Sequence, residues 1–203
     1  MEPSACTRVT AAMRSVSRAD FLPPRQRRNT ALDQPLHLTD GQTCSQPTTV
    51  RIMLELLAME PGQRVLDVGS GSGWTTALLA RLVGPTGRVD GVELRPELAE
   101  FGRSNLARAG LPQAQIHLAV DGVLGWPWLA PYDRILVSAE ARAVPRALAE
   151  QLADGGRMVI PVRGRMTVVT MADGVPSAEQ APGTYRFVPL IEPEPGAGQV
   201  DGG

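Results

Sequence analysis

Lysine is absent from this chain: all 20 basic residues are arginine. A Schiff-base lysine and a phosphate-loop lysine are thereby excluded, and with them pyridoxal-phosphate enzymes and P-loop NTPases. Cysteine and histidine are nearly as scarce. Cys6, Cys44, His37 and His117 are the whole complement. They are too few and too scattered for a Cys/His zinc site or a disulfide framework, so no metal is expected. Excess charge of one sign is also missing. A formal net charge of −1 gives no global attraction to nucleic acid or membrane. Met1–Val9 has no apolar core of signal-peptide length, and no run is long enough to cross a bilayer. The expectation is a soluble, cytoplasmic monomer that binds neither nucleic acid nor membrane.

The length of 203 residues and hydrophobic content of 43% suit one α/β domain with a sizeable core. The chain is organised around Arg64–Thr76, RVLDVGSGSGWTT. A GSGSG stretch alone reads as a flexible linker. Here a β-branched strand signal precedes it and an apolar helix signal, Ala77-Leu78-Leu79 with Leu82 and Val83, follows directly. That context predicts a strand–tight turn–helix unit of a nucleotide-binding sheet, where glycine lets the backbone turn sharply and approach a ligand. From either Gly69 or Gly71, the spacing does not fit the dinucleotide pattern G-x-G-x-x-G/A. A second acid, Glu93, ends the next strand-like run, at the spacing of about 20 residues where a carboxylate accepts ribose hydroxyls.

In chain order, Val9, Met13 and Val16 recur at helical spacing and predict a helix over Thr7–Phe21. Arg25, Arg27 and Arg28 follow without interleaved aromatics and read as solvated surface rather than a nucleic-acid patch. Ala31–Pro47 is a loop of unusual length, a feature often tied to function. Ser45 then falls at or near the start of a helix over Thr48–Met59, where its everyday use would be a cap. The remaining expectations are strands at Arg88–Glu93, Gln115–Val120, Arg134–Ser138 and Arg157–Val162, with Pro161 weakening the last. Helices are expected from Pro96 to Ala109 and from Pro145 to Leu152, the latter closed by Asp154-Gly155-Gly156. Met166–Met171 and Tyr185–Leu190 read as two final strands, with a turn at Asp173-Gly174 and a longer loop after it. Trp126-Pro127-Trp128 is expected to pack on the sheet rather than cover an adenine. Residues 192–203 read as a disordered tail.

The fold expected is α/β: a doubly wound, mostly parallel seven-stranded sheet with helices on both faces. Residues 1–47 would supply an N-terminal helix and an active-site loop, and 48–191 the α/β core. Ligands in such sheets bind outside the carboxyl ends of the strands. The glycine loop, Glu93, Asp121-Gly122 and the loop after Ser138 meet there. Asp121 followed by Gly122 suits acceptance of an adenine amino group.

Asp67-x-Gly69-x-Gly71-x-Gly73 followed by Glu93 resembles the first two motifs of class I S-adenosylmethionine-dependent methyltransferases. Several stretches together resemble the protein-L-isoaspartate O-methyltransferase family. The most specific is Asp40–Pro47, DGQTCSQP, ahead of a helix and VLDVGSGSG. Others are MRSVSRADFLP at Met13–Pro23, DGVLGWP at Asp121–Pro127, APYDRILVSA at Ala130–Ala139, QLADGGRMVIPV at Gln151–Val162 and FVPL at Phe187–Leu190. The resemblance covers nearly the whole chain. It implies methyl transfer from S-adenosyl-L-methionine to the free α-carboxylate of an isoaspartyl residue in a damaged protein or peptide. The ester then closes to a succinimide that can reopen as aspartate.

The resemblance also implies a site. Gln42, Thr43, Cys44 and Ser45 would wrap cofactor and substrate, with Ser45 as the catalytic residue. Asp67, Gly69, Ser70, Gly71 and Gly73 would join Glu93, Leu94, Asp121 and Gly122 around the cofactor. Ala139, Glu140 and Val188 would border the substrate. Where the family has an Ala-Ala-Ala-Pro-like segment, this chain has Ala139-Glu140-Ala141-Arg142. The N-terminus and the segment between the last strands are short. A carboxylate nucleophile needs no general base, which suits a chain with two histidines. Competing readings are methylation of another carboxylate, a nucleic-acid methyltransferase and a non-catalytic cofactor-binding protein. Against nucleic acid, Ser138-Ala139-Glu140-Ala141 does not resemble the Asn/Asp-Pro-Pro-aromatic motif of amino-group enzymes, and both cysteines precede the glycine loop. Against a non-catalytic role, Ser45 and the glycine loop are intact.

Overall fold

The computed structural model describes residues 5–39 and 41–192. Asp40, and the expected tail from residue 193 on, lie outside them. The first helical stretch is interrupted. Helix α1 (Ala5–Ser15) stops, Ser17 is extended, and one 3-10 turn covers Arg18–Phe21. The break turns Arg18 and Phe21 inward, where both are buried. The long loop contains a small antiparallel pair, β1 (Leu36–His37) and β2 (Thr43–Cys44). Then follow α2 (Pro47–Leu57), β3 (Arg64–Val68), α3 (Trp74–Val83), β4 (Arg88–Glu93), α4 (Pro96–Ala109) and β5 (Ala114–Leu118). The chain finishes with β6 (Tyr132–Val137), a short α5 (Arg146–Ala149), β7 (Leu152–Val162), β8 (Arg165–Ala172) and β9 (Val175–Gln180).

The seven strands are ordered β5-β4-β3-β6-β7-β8-β9, the first five parallel and the last two antiparallel. Alternation along the strands separates two cores. Val65, Val89, Ile116, Leu136 and Val159 face α1 to α4. Leu66, Val92, Ile135, Val137 and Ile160 face the other way, covered by α5 and irregular connections. Each fully buried aliphatic side chain contributes about 1.5–3 kcal/mol. Among the described residues, no helix is long and apolar enough to cross a membrane.

Three expected elements are corrected. The helix expected over Pro145–Leu152 is only α5, because Leu152 already pairs with Tyr132 as the start of β7. Asp154-Gly155-Gly156 therefore closes no helix; it lies inside β7, where the pairing with β6 shifts register. The last strand is not Tyr185–Leu190. Asp173 and Gly174, both at positive φ, make a tight hairpin straight into β9, the backbone that two-residue hairpins favour. Residues 183–190 instead return along the edge of the cavity, held to the stretch after β6 by an isolated bridge between Glu140 and Pro189. Pro161 sits within β7, beyond the last β6 pair at Val159, where no strand on that side needs its missing N–H.

Two of the arginines after α1 and the Trp126–Trp128 pair have structural partners. Arg25 and Arg27 donate to the carbonyls of Leu38 and Leu22. Trp126 stacks on His117 at 4.2 Å and Trp128 meets it edge-on. His117 and Arg88 in turn bond Asp90. Burial pushes the Asp90 carboxyl up, but those two bonds outweigh it and hold it below the usual range.

Candidate active site

The site begins where β3 ends. The chain turns through Gly69, Gly71 and Gly73 at φ +79°, +56° and +85°. L side chains rarely adopt such values. The Gly69 and Ser70 amides both donate to Val92 O, tying the loop to β4. Gly73 starts α3 without a side-chain cap and stands away from the cavity floor. The loop rests on α4 at Gly102, where an added Cβ would lie 2.9 Å from Gly71 O and 2.7 Å from Ile116 Cδ1. Gly102 escaped the sequence reading because a lone glycine in a helix carries no sign of what it touches.

The two expected acids part company here. Glu93 lines the cavity. It accepts the Gly71 and Arg95 amides, each at 2.9 Å, which fixes both carboxylate oxygens and leaves lone pairs toward the cavity. Asp67 does not reach it. Its side chain is wholly buried beneath the loop, with Thr76 Oγ1 donating to Oδ2 at 2.7 Å and, among the described residues, nothing bonding Oδ1. Burial pushes this carboxyl up to about 7; the Thr76 bond opposes the rise and the charge of Glu93 adds to it.

A cavity of about 220 Å³ opens over the carboxyl ends of β3, β4, β5 and β6. Gly69, Ser70 and Gly71 form its base, and Ser70 Oγ is a buried hydroxyl with no partner. Leu94, exposed, and Asp121 with Gly122 form one wall. Gln42, Thr43, Cys44 and Ser45 close the opposite side, and Ala139 and Val188 complete the rim. Val120, Leu124, Ser138 and Leu190 also line it and were not named as site residues; Leu124, Ser138 and Leu190 fall inside stretches that carry the family resemblance, but nothing in those stretches marks which residue faces a ligand. Burial raises the Cys44 thiol, with Arg18 pulling against it.

Ser45 is not the cap of α2. Asp33 has that role: its Oδ1 accepts Thr48 N at 2.9 Å, and its Oδ2 accepts Thr48 Oγ1 and Gln46 Nε2. The Thr48 amide is the main influence holding the Asp33 carboxyl below its usual range. Among the described residues, the Ser45 hydroxyl has no hydrogen-bond partner, so it is available at the cavity wall. Arg18 fixes the loop from behind. Its guanidinium donates to the carbonyls of Leu32, Gln34, Cys44 and Ser45 and lies over the Trp74 ring at 5.4 Å.

On the rim, Glu140 does not line the cavity; its backbone brackets the segment that does. Glu140 N donates to Val188 O and Leu190 N to Glu140 O, both at 2.8 Å. No ion pair joins Glu140 to Arg142 among the described residues. The crevice lies where strand order reverses, between β3 and β6, the binding position of doubly wound sheets.

Fold and crevice together define a doubly wound α/β protein with a nucleotide-type ligand site, the architecture of class I S-adenosylmethionine-dependent methyltransferases. The comparisons narrow this. The sequence matches the protein-L-isoaspartate(D-aspartate) O-methyltransferase (PCMT) family over residues 4–194. The protein-L-isoaspartate O-methyltransferase of Methanopyrus kandleri is 46% identical over 191 residues, covering 92% of this chain and 84% of that protein. That of Anaeromyxobacter dehalogenans is 45% identical over 195 residues, covering 93% and 91%. A solved protein-L-isoaspartate O-methyltransferase superposes with a TM-score of 0.81 at 27% identity, over 91% of this chain and 61% of that one. A Plasmodium falciparum chain solved in complex with S-adenosyl-L-homocysteine shares the fold, with a TM-score of 0.80 at 23% identity. The chain belongs to the protein-L-isoaspartate(D-aspartate) O-methyltransferase family.

Proposed function

We propose that this protein methylates the α-carboxylate of L-isoaspartyl residues in damaged proteins or peptides, as a cytoplasmic monomer. The observation that carries the reading is one cavity joining two halves: the glycine loop with Glu93 and Asp121, and the Gln42–Ser45 loop with Ala139 and Val188. The residues fit S-adenosylmethionine. Gly69 and Gly71 keep the base free of side chains, and Glu93 is fixed with lone pairs free for ribose hydroxyls. Asp121, on the cavity wall, would accept an adenine amino group, and Leu94 would lie against the ring. Asp67 then acts indirectly, by holding Thr76 and the start of α3.

When bound, the sulfonium supplies an electrophilic methyl group and a leaving group that needs no proton. The protein's task is therefore placement. A substrate carboxylate is ionised at neutral pH, so no general base is required. Accordingly, no histidine or tyrosine lines the cavity among the described residues. Ser45 Oγ–H would donate to one carboxylate oxygen and aim the other. Arg18, bonded to the Ser45 carbonyl, keeps that hydroxyl in place. Ala139 and Val188 give the rim an apolar contact for the peptide and exclude water from the reacting oxygen.

Methyl transfer from labelled S-adenosylmethionine to matched L-isoaspartyl and aspartyl peptides tests the proposal. Base-labile label on the isoaspartyl peptide alone is expected. Label on neither, with cofactor binding confirmed separately, would overturn the isoaspartyl reading and favour a second one, another peptide or small-molecule carboxylate as substrate; Glu140, which has no ion-pair partner among the described residues, stands beside the rim in favour of that reading. Label on both peptides would likewise count against isoaspartyl specificity.

A further inference from the structure

Four arginines stand on the rim next to the substrate half of the cavity. Arg142 follows β6, Arg163 and Arg165 flank the β7–β8 turn, and Arg186 lies in the returning segment; all four are exposed. Hydrogen bonds join these three stretches into one surface. Arg163 N donates to Ala141 O, Arg163 Nε to Arg142 O at 2.7 Å, and Tyr185 N to Gly164 O at 2.9 Å. Arg165 Nη1 reaches Gly183 O. None of the four lines the cavity, but Arg186 stands two residues before Val188 and Arg142 three after Ala139, both of which do, and Glu140 N donates to Val188 O between them. Acids on the same stretches are Glu140, Glu179 and Glu192. Among the described residues, none of them forms an ion pair with any of the four arginines.

We propose that this arginine rim docks the peptide flanking the methylated residue and selects substrates with acidic side chains beside the isoaspartate. The inference rests on the isoaspartyl reading above and deepens it. Four exposed guanidinium charges without an ion-pair partner among the described residues attract carboxylates through charge, which a lysine at the same place would also supply. Nucleic acid fits this surface poorly. Tyr185 and Phe187, the aromatics of the segment, are packed against the core rather than offered for base stacking.

The test is fluorescence anisotropy of labelled isoaspartyl peptides that differ only in flanking residues: glutamate, glutamine or arginine. Protein is saturated with S-adenosylhomocysteine, at low and at 0.5 M salt, and a labelled single-stranded oligonucleotide is run alongside. The expected order is glutamate, then glutamine, then arginine, with about a tenfold difference between the first two at low salt that collapses at high salt. Arg142→Glu/Arg186→Glu should abolish or invert the ratio, and Arg142→Lys/Arg186→Lys should keep most of it. Equal affinities, an absence of binding, an order that survives the double glutamate variant, or an oligonucleotide that binds tighter than the acidic peptide would overturn the proposal. Turnover of the same peptides is read separately. Charge-ordered binding without methyl transfer would refute the catalytic reading and leave the docking surface standing.

Discussion

Replacing Asp67 with asparagine should change stability in opposite directions at acid and alkaline pH. The wild-type carboxyl is wholly buried with one hydroxyl partner, and its pKa rises from 3.8 to about 7. A raised native pKa means that the folded state binds this proton more tightly than the unfolded chain. The resulting stability is fully present below about pH 4 and is lost as pH rises to about 7. At 1.36 kcal/mol per unit, the loss is roughly 4 kcal/mol. Asparagine cannot ionise and escapes this loss. Its amide would instead put an unpaired N–H₂ at the place of the unpartnered Oδ1, at a pH-independent cost of about 1–3 kcal/mol. The variant should therefore be less stable than wild type at pH 4 and more stable, by about 1–3 kcal/mol, at pH 9. Urea unfolding of both proteins without cofactor, across that range, gives the difference directly and cancels every other titrating group. A difference that stays constant with pH, or a wild type that gains on the variant as pH rises, would refute the reasoning.

Ser45→Ala should lower kcat by about 10–100-fold, the worth of one hydrogen bond to a charged group, with cofactor affinity within about twofold; full turnover would leave Ser45 without a catalytic part. Glu93→Ala should weaken cofactor binding by about tenfold or more in calorimetry, and unchanged affinity would remove Glu93 from the ribose site. Arg18→Ala leaves four carbonyls without their donor and should cost about 3 kcal/mol or more in urea unfolding. Arg18→Lys should not restore it, because an ammonium lacks the planar fork; full recovery with lysine would reduce the role to charge. Gly102→Ala should push Gly71 out of place and weaken cofactor binding, and wild-type affinity with wild-type melting temperature would show that the close approach is tolerated.

The elements that the sequence reading placed well carry local signals at both ends. Arg88–Glu93 and Pro96–Ala109 are found as expected, the helix opened by Pro96 and stopped by Gly110 at φ +64°. Failures arose where pairing or packing overrode those signals. β9 reads Val-Pro-Ser-Ala-Glu-Gln and is exposed along its whole length, so no alternation marks it. Only its hairpin turn and its ladder to β8 make it a strand, and an edge strand tolerates Pro176. Tyr185–Leu190 alternates like a strand because Tyr185 and Phe187 do pack on the core, yet its only ladder contact among the described residues is the isolated bridge of Pro189 with Glu140.

The site divides along the same line. Its cofactor half was legible because strand, turn and helix are contiguous, and the glycines state their own backbone demands. The half around Ser45 depends on contacts across long sequence separations. Arg18 reaches carbonyls 26 and 27 residues away, and Asp33 caps a helix that starts 14 residues later, at Pro47. No local pattern announces either. Asp67 and Glu93 show why motif membership does not settle a role. Both are buried carboxylates beside one glycine loop. Two backbone amides fix both oxygens of Glu93 at the cavity, whereas one hydroxyl leaves Asp67 to bear the cost of burial under the loop. Cofactor binding is proposed for the acid whose oxygens the backbone fixes at the cavity. The other holds α3 in place, and the pH dependence predicted above is the signature of that difference.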